Sequence, residues 1–129
     1  MWKFIGIILV AFSAPALAAD KGLELAKESY EFLQDYEGRL NIAIRSGDPI
    51  KYNKYIFTPT LEQFRRWPKL GDERYDKYFM CRMALDAFRI WSDEQFHAGG
   101  ALPKSASSAL DYVDKKQQCR SALGKKLTQ

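Results

Sequence analysis

Histidine occurs once in this 129-residue chain, at His97, and cysteine twice, at Cys81 and Cys119. A protein zinc site needs three or four ligands of these kinds, and the cysteines have a better use, given below. Neither the C-x-x-C spacing of a redox pair nor the C-x-x-C-H signature of haem attachment is present. A haem held by His97 and either Met80 or Met83 fails on reach. The methionines lie 17 and 14 residues before it, ~21–26 Å away along one helix. There is no G-x-S-x-G frame for a nucleophilic serine, and Ser105, Ser107 and Ser108 read as residues of a helix's first turn. Glu24 with Glu28, and Asp111 with Asp114, read as solvated helix faces, and Asp93 with His97 as a helix C-terminus. No cofactor, no metal and no enzymatic activity are expected.

Two further absences bound the class. No block of like charge reaches the length of a nucleic-acid-binding tail, and the 20 basic and 16 acidic residues are interspersed. No nucleic-acid partner is expected. Nor is there an apolar run near the ~20 residues that span a bilayer. The run from Phe4 to Phe12 has 9 residues before Ser13 and Pro15. With Lys3 in front and Ala16-Leu17-Ala18 behind, it has the three-part form of a secretory signal cleaved after Ala18. Residues 1–18 are therefore expected to be a signal peptide and residues 19–129 one domain, periplasmic or secreted, with no membrane segment after cleavage. No cysteine follows the run, which excludes a lipid anchor on an N-terminal cysteine. The mature chain carries 19 basic and 16 acidic residues, a net charge of about +3.

What is present begins with the cysteines, which pair in an oxidising compartment. Cys81 stands 19 residues before Gly100 and Cys119 stands 19 after it. The stretch His97-Ala98-Gly99-Gly100-Ala101-Leu102-Pro103 reads as a turn between two long helices. In an antiparallel hairpin, positions equidistant from the turn share one height, here about 28 Å from the bend. A Cys81–Cys119 disulfide is expected, stabilising the fold by ~4 kcal/mol on the chain-entropy account.

Helical periodicity fills the rest. Leu23, Ala26, Tyr30, Leu33, Leu40 and Ile44 recur in steps of three and four, with Glu37 as the polar break. Phe32, Tyr36 and Ala43 widen the stripe, which predicts a helix over 21–46 with Asp20 as its cap. Ser46-Gly47-Asp48-Pro49 ends it, and Asp48 and Pro49 start a second helix reaching Phe57. Thr58-Pro59 starts a third over 59–66, stopped by Trp67-Pro68. Asp72 and Glu73 open a long helix with Tyr75, Tyr78, Phe79, Met83, Ala84, Leu85, Ala87, Phe88, Ile90 and Trp91 as its apolar positions. The last helix is expected from Pro103 to Leu123. Its inward positions would be Ala106, Ala109, Leu110, Tyr112, Val113, Cys119, Ala122 and Leu123. Gly124 closes it, with Lys125 and Lys126 at the carbonyl end. The expected architecture is all-α: a small bundle of three long helices, a broken short-helix connection and a disulfide-linked C-terminal hairpin.

Core packing explains least in the middle section. Tyr52, Tyr55, Arg65, Arg66, Trp67 and Lys69 combine the residue types enriched at binding hot spots. One expectation is an exposed basic-aromatic patch for an acidic protein partner, with an anionic membrane surface as the lesser alternative. The other is that Phe57, Phe64 and Trp67 plug the bundle while the arginines stay solvated. Signal, small domain and single disulfide match the format of periplasmic inhibitors and immunity proteins, an analogy of format alone. The expected function is binding of a protein partner, with a chaperone-like or secretion-accessory protein, or an enzyme of unknown type, as alternatives.

Overall fold

A computed structural model of the chain describes residues 20–124, which are mostly helical and contain no strand. The expected leader, Lys125 and Lys126 lie outside the described residues. Helix α1 (Lys21–Ser46) has the bounds its apolar stripe predicts. Asp20 does not cap it through its side chain; its backbone carbonyl accepts from the Glu24 N–H at 3.1 Å. Gly47 ends it in the left-handed region at φ 63°, returning its N–H to the carbonyls of Ala43 and Ile44. Such a φ suits glycine because it has no Cβ.

The middle section is one continuous rod rather than two short helices. It comprises α2 (Pro49–Tyr52), a π-helical turn (Asn53–Phe57) and α3 (Thr58–Arg65). Asp48 caps the rod as expected, accepting from the Ile50 N–H at 2.9 Å. Thr58-Pro59 does not restart it: Thr58 is fully helical, and its N–H reaches back five residues to the Asn53 carbonyl. Two causes agree. Pro59 has no N–H, and its ring would strike the Tyr55 carbonyl in a regular α-helix. The buried positions Tyr52, Ile56 and Thr60 also step by four twice, overrunning two turns of 3.6 residues. A wide π-turn absorbs both.

The expected long helix from Asp72 is also revised. Asp72 caps only α4 (Glu73–Asp76), accepting from the Arg74 N–H at 3.1 Å, and α5 (Phe79–His97) begins after a bend at Tyr78. The reason is a close crossing. A Cβ on Gly22 would stand 1.7 Å from the Arg74 carbonyl oxygen, so α4 lies directly on the start of α1. Buried Tyr78 occupies the bend. Helix α6 (Ser107–Leu123) starts later than Pro103, because Pro103 to Ala106 form a turn closed by the Ala106 N–H on the Pro103 carbonyl.

Helices α5 and α6 make the closest pairing of the bundle, and α1 packs across both. The Cys81–Cys119 disulfide joins them as expected, with 4.4 Å between the Cα atoms and both side chains wholly buried. The same buried core takes in Leu33, Leu40, Ile56, Leu85, Phe88 and Leu123. On α6 the inward set is narrower than its composition suggests. Ala109, Tyr112, Cys119 and Leu123 are buried, whereas Leu110, Val113 and Ala122 are exposed. The inner positions step 109, 112, 116, 119, 123, so Lys116 holds an inner slot and the two aliphatics fall on the flank. Ile90 of α5 is exposed as well.

Candidate functional site

The six candidate residues do not form one surface. Trp67 is only 6% exposed and plugs the bundle. Its indole N–H donates to the Ser29 hydroxyl at 3.1 Å, and its ring meets Tyr75 edge-on. Tyr52 is buried too, stacked on Phe96 with its hydroxyl 3.2 Å from that of Ser92. Burial pushes the Tyr52 phenol up, against the pull of the Ser92 hydrogen bond. Arg66 turns back onto α1, where its guanidinium pairs with Glu28, and also donates to Gln63 at 3.3 Å. Arg65 and Lys69 are exposed and make no ion pair among the described residues. The expected meeting of arginine forks and an indole at the surface does not form, because Ser29, which the stripe on α1 omits, draws the indole inward.

Tyr55 is the exception. It is 52% exposed and faces the C-terminal half of α1 across a groove of about 400 Å³. Arg39, Ile42, Ala43 and Ser46 line one wall, and Lys51 and Tyr55 the other. The tight Gly47 turn lays the start of the rod beside α1, and the π-turn carries Tyr55 outward between Lys54 and the buried Ile56. The Lys54 ammonium sits 5.3 Å from the Tyr55 ring centre. Arg39 lies over the Tyr36 ring and bonds Asp35 at 2.9 Å. Ile42 is 63% exposed and was missed by sequence reasoning. The signal was there: Ile42 is a large aliphatic off the three-four stripe of α1, so no core slot awaits it.

On the other flank of α1, Glu37 explains the polar break in that stripe. Its Oε1 accepts from the Tyr112 hydroxyl at 2.7 Å and from the Lys116 ammonium at 2.8 Å. Burial first, and Glu37 second, hold the Tyr112 phenol far above its ordinary range. No group of three or more His, Cys, Asp or Glu side chains among the described residues is placed to hold a metal ion. The molecule is thus an all-α, disulfide-linked bundle with open surface grooves. Comparison with protein-family models, with curated proteins and with solved structures gives no match.

Proposed function

We propose that this protein works outside the cytoplasm by binding rather than by catalysis, in the manner of an inhibitor or immunity-type protein. The Ile42–Tyr55 groove would take an acidic segment of one protein partner. The observation that carries this reading is the groove itself: two exposed apolar side chains, Ile42 and Tyr55, set between Arg39 and Lys51. A large apolar contact within a cationic rim supplies affinity from the centre and steering from the edge. The disulfide supports an oxidising compartment, and no helix among the described residues is long and apolar enough to cross a membrane.

The test is capture from periplasmic extract on immobilised, oxidised protein, repeated with groove variants. One stoichiometric acidic partner is expected. Ile42→Asp and Tyr55→Ala should each weaken it about tenfold or more while leaving the melting temperature near the parent value, since both side chains are exposed. Lys51→Glu should mainly slow association and flatten its salt dependence. Full affinity in Ile42→Asp would remove the groove from the function. Capture of many weak clients would mark a chaperone-like protein instead.

A further inference from the structure

The seam between α1 and α6 is not closed. A cleft of about 410 Å³ opens among Trp91, Leu102, Ala109 and Val113, with Glu37 and Tyr112 on its inner side. A second, of about 320 Å³, shares Glu37, Tyr112 and Val113 with the first and reaches Lys116 and Arg120. A third shares Tyr30 and Arg120 with the second and ends at Gln34. Shared lining residues set the three side by side, a channel of adjoining clefts along the seam. At 3.6 residues per turn, Tyr30, Gln34 and Glu37 lie on the flank of α1 opposite Arg39, Ile42 and Ser46. The channel is therefore separate from the groove at Tyr55.

Its origin is the placement of Lys116 in an inner slot of α6. A long cationic side chain reaching Glu37 stands where a core residue would draw the two helices together, and Val113 is left 66% exposed on the rim. The Trp91 and Tyr112 rings, tilted at 37° to each other with centroids 5.0 Å apart, form an aromatic wall.

The charges select the occupant. Lys116 and the Tyr112 hydroxyl already compensate Glu37, so a cationic ligand would gain little there and would meet Lys116. Lys104 at one end and Arg120 at the other make no ion pair among the described residues, against Glu31 as the further acid of the channel. The surplus is positive, and it brackets an apolar cleft. From Ser107 to Arg120 the helix rises about 20 Å, room for about six residues of extended chain.

We propose that the α1–α6 seam is a second docking channel. It takes a partner segment carrying one large apolar side chain flanked by acidic residues. That side chain enters the Trp91–Val113 cleft, and the acids on either side meet Lys104 and Arg120. With grooves on opposite flanks of α1, one molecule can hold two such surfaces at once. This proposal stands independently of the groove at Tyr55.

Amide shift mapping of the isotopically labelled, oxidised protein tests it with three capped pentapeptides as probes. They are Asp-Glu-Phe-Glu-Asp, Asp-Glu-Gly-Glu-Asp and Lys-Arg-Phe-Arg-Lys. Only the first should shift the amides of Gln95, Val113 and Gln117 to saturation. Val113→Asp, at an exposed site that leaves the fold intact, should weaken it about tenfold, and Arg120→Glu several-fold. Equal shifts with the basic peptide would overturn the proposal, as would saturable binding by none of the three. So would shifts confined to Ile42, Lys51 and Tyr55, or unchanged affinity in Val113→Asp.

Discussion

Trp67 and Arg66 are neighbours in sequence with opposite parts in the fold. Trp67→Ala should cost about 3–5 kcal/mol, because it empties a buried site and removes one of the two donors to the Ser29 hydroxyl, the other being the Gln63 amide. Arg66→Ala should cost less than about 1 kcal/mol, since its ion pair with Glu28 is half exposed to solvent. Paired melting curves on the two variants check this, and a small loss in Trp67→Ala would contradict the plug. Tyr112 carries a pH dependence. Its folded phenol is raised above the ordinary value of 10.0 by burial and then by Glu37. A raised folded value means the stabilisation is complete below about pH 10 and fades as pH climbs past the unfolded value. The urea midpoint should therefore fall above about pH 10, and Tyr112→Phe should flatten that fall. Lysines titrate in the same range, so the difference between parent and variant is the readout.

At the scale of elements, the π-turn is one extra residue inserted in a helix, made necessary by Pro59 and by the double step of four in the core. Removing exposed Lys54 would shorten the 52-to-56 step to three and restore a regular α-helical stripe. It would also drive the Pro59 ring into the preceding carbonyl. Deletion of Lys54 alone should cost about 3 kcal/mol, and adding Pro59→Ala should recover most of it. Denaturant melts of the two variants test the coupling. Additive costs would mean that proline and register act independently. The steps of four at Tyr52, Ile56 and Thr60 were visible in the sequence beforehand. They become informative only once those residues are known to be buried, since Thr60 alone reads as a surface or capping residue.

The whole molecule depends on its hairpin. The disulfide closes a span of 38 residues and joins the two most closely paired helices. Replacing both cysteines by alanine should lower stability by roughly 2–5 kcal/mol, measured as a shift in denaturant midpoint. The helical circular dichroism should persist below the transition, because the rest of the buried core, Leu85, Phe88 and Leu123 included, stays in place. An unchanged midpoint would show that the pairing adds nothing beyond those contacts.

Elements whose limits are local were legible from the chain alone. Helix α1 follows from a three-four stripe between Asp20 and Gly47, the rod's start from Asp48-Pro49, and the disulfide from equal spacing about Gly100. Each depends on backbone chemistry or helical rise within one segment. The candidate surfaces were not legible in that way. Whether Trp67 faces in or out depends on Ser29, 38 residues earlier. The bend at Tyr78 depends on Gly22 admitting the Arg74 backbone. The open seam depends on Lys116 meeting Glu37, 79 residues earlier. Periodicity tells which side chains share a face of their own helix. Only packing decides which of those faces another helix covers, and the grooves are where none does.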